Sequence, residues 1–171
     1  MVEWDNPKIF ESGYGPDLEV TRLDLYRLLN QFVASKSLAK LCESDAYLHH
    51  AMYLLDNFFE TEATRILLSS AVVARVIDDR DNHLKDYETF CGKLIEDFSN
   101  SPKEIDLTLR EACNKIIHAK AVKYDVEVNR PGFDQRYLNP FIYYYGEYRR
   151  KEWKAILNVI DYIRVYVDHV V

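Results

Sequence analysis

The fold predicted from the sequence depends most on residues 61–77, TEATRILLSSAVVARVI. If this segment is helical, apolar side chains lie on nearly all sides of the helix. A helix that is apolar on all sides usually lies in the middle of a bundle, where neighbouring helices cover it. The stretch belongs to a tract from Asp17 to Cys91 that contains no proline or glycine and repeats apolar residues at helical spacing. We therefore expect long helices packed around residues 61–77.

Capping signals divide this tract. A first helix is expected over residues 21–43, and a second is expected from a cap at Ser44 or Asp45 through Ile77. A third helix is predicted by a stripe of apolar residues at helical spacing, which are Leu84, Tyr87, Cys91, Leu94, Ile95 and Phe98. A fourth helix is predicted to open on an N-cap, a first-turn proline and a capping-box glutamate, which are Ser101, Pro102 and Glu104.

The last third of the chain has a different character. Residues 124–140 lack helical periodicity, and Phe141–Tyr145 is a β-prone run that a turn can join to a second strand through Leu157. A last helix is expected after a cap at Asn158, and a longer helix beginning at Lys151 is the competing prediction. The sequence thus predicts a mainly α fold in one domain, residues 1–171. It consists of a helical bundle over about residues 18–123, then a loop, a small β-hairpin and a final helix over about residues 124–171.

Composition narrows the class of protein. A chain of 171 residues that is 48% hydrophobic is expected to fold, and its net charge of −6 argues against a protein that coats nucleic acid indiscriminately. No signal peptide and no membrane-length apolar run is present, so neither secretion nor membrane spanning is expected. Three cysteines without a CxxC pair predict a cytoplasmic protein with no disulfide framework.

No metal site or cofactor is expected. The adjacent His49 and His50 point about 100° apart on a helix and cannot easily share one ion, so we assign them to a solvated helix face. No glycine-rich phosphate loop or dinucleotide-binding signature occurs among the five glycines.

The fourth predicted helix carries a polar stripe. Its core face on a helical wheel is formed by Ile105, Leu109, Ala112, Ile116 and Ala119. Arg110, Asn114 and His118 lie one helical turn apart on the opposite side, which they share with three apolar residues, Leu107, Ile117 and Ala121. This mixture predicts a second packed surface against another segment or a second copy, and we expect a homodimer formed through this helix.

The segment from Leu109 to Ala119, LREACNKIIHA, resembles a helix of the HEPN superfamily of prokaryotic toxin, abortive-infection and defence proteins. The resemblance implies a helical bundle that dimerises so that two Arg-(four to six residues)-His motifs face each other and cut RNA without a metal ion. By this resemblance His118 is the catalytic histidine, Arg110 steadies the phosphate, and Asn114 takes a polar position within the motif. Seven residues separate Arg110 from His118 in this chain, so a degenerate, non-catalytic domain is the alternative.

The same residues can be assessed from their chemistry. Cleavage of RNA through its 2′-hydroxyl needs a general base and a cation on the phosphate, and histidine and arginine suit these tasks. Each residue also has a structural explanation. His118 can simply complement the helix dipole, Arg110 can be an ordinary surface charge, and Asn114 can hold a structural hydrogen bond.

Arg75 is a second candidate, because it follows the most apolar stretch of the chain. The favoured interpretation is an ion pair within its own helix, with Asp78 and Asp79 three and four residues later. The alternative places Arg75 and an aspartate in the same cleft as His118.

The region from Lys115 to Lys154 carries a net charge of +4, against −10 for the rest of the chain. Its charges alternate with aromatic residues, which are Tyr137, Phe141, Tyr143, Tyr144, Tyr145, Tyr148 and Trp153. Such a mixture is typical of surfaces that stack bases and follow phosphates, and the expected substrate-binding residues are Arg75, Lys115, Arg149, Arg150 and Lys151. The alternative is that strand alternation buries half of the aromatic residues while the charges only solvate the hairpin.

Two functions from different classes follow. The first is a metal-independent endoribonuclease of HEPN type, acting as a dimer in a toxin or phage-defence role. The second is a non-catalytic interaction or RNA-binding module in a toxin-antitoxin or defence assembly, with a protein antitoxin or defence subunit as partner.

Overall fold

Two long helices lead into a five-stranded sheet in the computed structural model, which describes residues 17–44, 49–81, 84, 89–128 and 136–171. The long helices are α1 (Leu18–Ser44) and α2 (His49–Asp81). The strands are β1 (Phe90–Asp97), β2 (Ser101–Thr108), β3 (Ala121–Val128), β4 (Arg136–Tyr148) and β5 (Lys151–Asn158). Two short helices, α3 (Leu109–His118) and α4 (Val159–His169), follow β2 and β5.

The sheet is antiparallel throughout, with the strand order β2-β1-β5-β4-β3. Because β2 and β3 are the two edges, α3, which connects them, crosses the sheet from one edge to the other. It contacts β1, β2, β4 and β5 on the way. The face of the sheet that carries α3 is called the inner face here, and the opposite face is called the outer face.

The hydrophobic core lies between the inner face and the helices. Its sheet residues include Ile142, Tyr144, Trp153, Ala155 and Leu157. On α4, the buried Tyr162 hydroxyl lies 2.9 Å from the hydroxyl oxygen of Ser70 on α2, and Tyr166 donates a hydrogen bond to the Ser70 carbonyl at 2.8 Å. These bonds join α4 to α2 and satisfy buried hydroxyl groups that would otherwise cost stability.

Helix α2 contains residues 61–77, and only one of its sides is covered by the described residues. The buried side consists of Ala63, Ile66, Leu67, Ala71 and Ala74. The other side exposes Phe58, Leu68, Val72 and Val76. The expectation that surrounding helices cover this segment on all sides therefore does not hold within the described part of the chain.

The mainly α helical bundle predicted over residues 18–123 is wrong, because β1, β2 and the start of β3 lie within that range. Residues 90–97 of the third predicted helix form β1, and Tyr87 lies outside the described residues. The pairing of β1 with β2 shifts register between Phe90 and Lys93, so that Cys91 and Leu94 are both buried although they are three residues apart. A bulge of this kind breaks strict alternation, and the resulting apolar spacing imitates a helix.

The start of the fourth predicted helix is also wrong. Ser101, Pro102 and Glu104 belong to β2, an edge strand, where a proline near the first residue is tolerated because its missing N–H is not needed. The actual N-cap of α3 is Thr108, whose hydroxyl accepts a hydrogen bond from the Glu111 amide at 3.3 Å. Helix α3 therefore begins eight residues later than the predicted cap at Ser101.

Several other elements are confirmed. Helices α1 and α2 match the first two predicted helices in position, although α1 begins at Leu18 rather than at residue 21. Of the two predicted caps of α2, Ser44 is wrong because it is the last residue of α1, and Asp45 lies outside the described residues. Strands β4 and β5 form the predicted C-terminal hairpin, and the competing helix beginning at Lys151 is wrong. The loop predicted before the hairpin is wrong where it is described, because β3 runs to Val128 and β4 begins at Arg136. The side chain of Asn158 caps α4 as predicted, accepting hydrogen bonds from the amides of the second and third residues after it at 3.1 and 3.3 Å.

Candidate functional site

The predicted stripe on α3 does not form one site. Arg110 turns towards α2, where its Nε donates to the Asp78 carboxylate at 2.6 Å. Asp78 is fully buried, and the same carboxylate binds Arg75 at 3.2 Å and accepts a hydrogen bond from the amide of Leu84 at 2.9 Å. The ion pair of Arg75 with Asp78 and Asp79 is confirmed, and it joins Arg75 to Arg110.

Asn114 and Lys115 both bind Glu111 of the same helix, and Lys115 also contacts the sheet. Asn114 donates to the Glu111 carboxylate at 3.2 Å, and Lys115 binds the same carboxylate at 2.9 Å. Burial raises the pKa of Glu111, but the hydrogen bond and charge of Lys115 outweigh this effect and hold that pKa below its ordinary value. The Lys115 ammonium also lies 4.7 Å from the ring centre of Trp153, so it ties α3 to β5.

His118 is the last residue of α3 and is exposed. Among the described residues, no hydrogen bond or ion pair connects it with Arg110 or Asn114. The apolar residues that were expected to share the exposed side of the helix with His118 do not form a patch on α3. Leu107 is a fully buried residue of β2, Ala121 belongs to β3, and Ile117 packs against the core, so α3 does not present the surface on which the predicted dimer relied.

The outer face of the sheet brings together several aromatic and basic side chains, only some of which were predicted from the sequence to belong to a site. Residues directly opposite each other in an antiparallel pair share a face. Tyr143 is opposite Ile156, and Tyr145 is opposite Lys154, whereas the intervening Tyr144 is buried on the inner face. Alternation thus buries Tyr144 and Trp153 and leaves Phe141, Tyr143 and Tyr145 at least partly accessible, as the sequence alternative predicted. Tyr137 and Tyr148 depart from this alternation, because Tyr137 is buried beneath Lys36 of α1 and Tyr148 is exposed at the end of β4.

Lys154 is the centre of an aromatic cluster on the outer face. Its ammonium lies 4.9 Å from the ring centre of Tyr143, 5.6 Å from that of Phe98 and 5.9 Å from that of Tyr145. Phe98 and Tyr145 meet edge to face, with ring centres 6.4 Å apart. The described part of the chain gives Lys154 no carboxylate partner, and its ammonium is attracted instead by the faces of these rings.

A cavity of about 330 Å³ opens beside this cluster, and it is lined by Phe98, Lys120, Tyr145, Gly146, Glu147, Glu152 and Trp153. Glu147 and Glu152 are directly opposite each other, an arrangement that like charges disfavour. Lys120 offsets it by binding Glu147 at 2.8 Å, and the Ser99 hydroxyl donates to Glu152 at 2.5 Å. The cavity therefore combines aromatic rings with both hydrogen-bond donors and acceptors.

The turn between β4 and β5 consists of Arg149 and Arg150, both with positive φ, 49° and 65°. Asparagine and glycine favour two-residue hairpin turns of this kind, and each larger residue in this conformation costs about 1–3 kcal/mol. The Arg149 guanidinium lies 5.1 Å from the ring centre of Tyr148, while Lys151 lies 3.8 Å from the carboxylate of Asp97. The tip of this hairpin, Arg149 and Arg150, thus carries two arginines at positions where asparagine or glycine would be more stable.

Two further findings concern metals and membranes. Within the ranges that the structure describes, no three His, Cys, Asp or Glu side chains are grouped so that they could hold a metal ion. Those ranges also contain no helix with both the length and the apolar character needed to cross a membrane. The side chains of His49 and His50 lie outside the described residues.

Comparisons of the chain with protein-family models, with curated proteins and with solved structures found no match. The candidate site therefore depends on the chain's own geometry. Sequence reasoning missed Phe98 because it assigned this residue to a helix, and it missed Lys154 because nothing in a single sequence shows which rings surround a lysine. The alternation of Tyr143 and Tyr145 with buried neighbours was the available signal.

Proposed function

We propose that the protein is a non-catalytic RNA-binding module that holds single-stranded RNA on the outer face of its sheet. The observation that carries the proposal is the cluster of Tyr143, Tyr145 and Phe98 around Lys154 on an open antiparallel sheet. Aromatic side chains stack on bases of any sequence, and nearby cations attract phosphates. The outer face offers both, within the region of the chain that is locally basic.

The hairpin tip adds the electrostatic part of this proposal. Arg149 and Arg150 project from the end of β4, the strand that also carries Tyr143 and Tyr145. Residues in sparsely populated backbone conformations cluster at functional sites, which supports a role for this tip. In this proposal the two guanidinium groups contact the phosphates of a strand whose bases stack along β4.

A second candidate, metal-independent cleavage of the bound RNA, is favoured by one observation. His118 is exposed and lies two residues before Lys120, which lines the cavity next to the aromatic cluster. Because α3 lies on the inner face, this candidate requires RNA that passes from the outer face around the β3 edge to reach the imidazole. Arg110 is bound to the buried Asp78, so it does not take part in this version of the site, and binding without cleavage remains the function that the geometry supports best.

The cellular setting proposed is the reducing cytoplasm. Cys42, Cys91 and Cys113 are all free and buried. Burial raises the pKa of Cys113 to about 12, so its reactive thiolate form is scarce at neutral pH. Such thiols serve as small core residues, which supports a protein that does not depend on disulfides.

Replacing Tyr143 or Tyr145 with alanine is expected to weaken binding of a labelled single-stranded RNA of mixed sequence. Each stacked base contributes about 1–3 kcal/mol, so each change should lower the affinity by roughly 5- to 150-fold in a fluorescence anisotropy titration. Neutralising Arg149 and Arg150 should weaken binding and flatten its dependence on salt, because fewer counterions are released. Tyr26→Ala is the matched control, since Tyr26 is 65% exposed on α1 and should not affect binding.

The same samples separate binding from cleavage. The non-catalytic module is expected to leave the RNA intact in a gel assay, and His118→Ala should bind as the wild type does. If the wild type cuts the RNA and His118→Ala does not, the second candidate is correct. RNA affinity that is equal in the wild type and in both tyrosine variants would reject the outer face as the binding surface.

A further inference from the structure

The outer edge of β3 is an unpaired edge of the sheet within the part of the chain that the structure describes. β3 lies at the end of the strand order and pairs only with β4 among the described residues, so the backbone groups along its other side have no strand partner there. Three β-branched residues on this strand, Val122, Val126 and Val128, are 39%, 42% and 50% exposed. An exposed edge strand of this length with apolar side chains is a template for pairing with another strand.

The opposite edge of the sheet is protected from such pairing. β2 contains Pro102, which cannot donate a backbone hydrogen bond, and the exposed Lys103 follows it. Proteins commonly use proline and lysine to block edge strands. β3 has no proline. Its pairing with β4 is irregular between Tyr124 and Val126, which pair with Ile142 and Leu138. The extra residues of this bulge therefore belong to β4, and β3 itself is regular. The edge of β3 can therefore continue without interruption.

The sequence of β3 is complementary to itself in one antiparallel register. When two copies are related by a two-fold axis at Tyr124, Lys123 is opposite Asp125 of the second copy and Val122 is opposite Val126. Lys123 and Asp125 both lie on the outer face, because Lys123 is opposite Tyr143 and Asp125 accepts a hydrogen bond from the Asn139 amide at 3.3 Å. Moving the register by one pair in either direction sets Asp125 against Asp125 or Lys123 against Lys123.

We infer that two copies of the chain pair through β3, with Lys123 of each copy opposite Asp125 of the other, to form a continuous ten-stranded sheet. The partner is a second copy because the exposed Lys123, the half-buried Asp125 and the exposed valines of β3 complement those of the same strand reversed. The two-fold axis is perpendicular to the sheet, so both outer faces point the same way. Two aromatic clusters then lie on one surface, and this arrangement does not depend on whether that surface binds RNA.

Charge reversal tests the register directly. The wild type is expected to have twice the 20.2 kDa mass of one chain in light scattering at micromolar concentration. Lys123→Glu places two carboxylates opposite each other, and Asp125→Lys places two ammonium groups opposite each other, so each variant alone should have the mass of one chain. An equal mixture of the two variants should recover the dimer mass, because every reversed charge then faces an opposite one.

The control is Lys103→Glu, which reverses an exposed lysine on the other edge of the sheet and should leave the dimer intact. Recovery of the dimer in the mixture also shows that both variants are folded. A monomeric wild type would overturn the inference. So would a dimer that survives both charge reversals, or two monomeric variants that fail to associate when mixed while their circular dichroism matches that of the wild type.

Discussion

Asp78→Ala is expected to lower the free energy of unfolding by about 3–5 kcal/mol, the typical cost of removing one partner from a buried ion pair. Asp78 is fully buried, and its carboxylate binds the guanidinium groups of both Arg75 and Arg110. Removing it leaves two partly buried cations without their shared anion and leaves the amide of Leu84 without its acceptor. Urea unfolding followed by circular dichroism measures the loss.

Asp79→Ala provides a matched control one position along the same helix. Asp79 also binds Arg75, at 2.8 Å, but its side chain is 61% exposed. Exposed ion pairs contribute about 0–1 kcal/mol, so this variant should be nearly as stable as the wild type. If both variants lost a similar amount of unfolding free energy, the contribution of Asp78 to stability would not depend on its burial.

Gly92→Ala is expected to destabilise the protein by about 3 kcal/mol or more, at the upper end of the range for an oversized residue in a packed site. Gly92 is opposite Leu157 where β1 pairs with β5 at the centre of the sheet. A Cβ atom at this position would lie 2.0 Å from the carbonyl oxygen of Ile156, which belongs to the backbone. Relief of this contact requires the two central strands to separate, and thermal or urea unfolding would detect the loss.

Gly146→Ala is the comparison that isolates the backbone contribution. A Cβ atom at Gly146 would meet the ring of Trp153 at 2.1 Å, again an impossible contact, but with a side chain. The indole ring can shift at the cost of some packing, so a smaller loss of about 1–3 kcal/mol is expected. A Gly92→Ala variant that is as stable as Gly146→Ala would mean that the central strands adjust more easily than the structure indicates.

The fold could be predicted from sequence wherever local signals agree with the final structure. The long helices lack proline and glycine, and the hairpin of β4 and β5 alternates buried and accessible residues across a short turn. Residues 90–108 misled prediction for two physical reasons. The bulge in β1 gives the buried residues Cys91 and Leu94 a spacing of three, which is also typical of a helix. The pair Ser101-Pro102 is compatible with the start of an edge strand as well as with the start of a helix, so the sequence alone does not distinguish the two.

The candidate site was harder to predict, because it depends on contacts between distant parts of the chain. The wheel placed Arg110 opposite the core face of its helix, but it could not show that Asp78 on α2 would cover that side. The aromatic residues of β4 were identified correctly as a mixed set, although two of the six are buried and four are accessible, rather than half of each. Their partner Lys154 became visible only when the register of β4 and β5 set it opposite Tyr145.

The position of β1 in the sheet has a consequence for synthesis of the chain on the ribosome. β1 pairs with β2 immediately after it and with β5, so its second partner emerges only after β2, β3 and β4. Until then, the hairpin of β1 and β2 and the helices before it have an open edge where the centre of the sheet will form. Pairing between such distant segments is slow, and the unpaired edge exposes the nascent chain to association with other chains. Insertion of β5 closes that edge and completes the sheet in one late step.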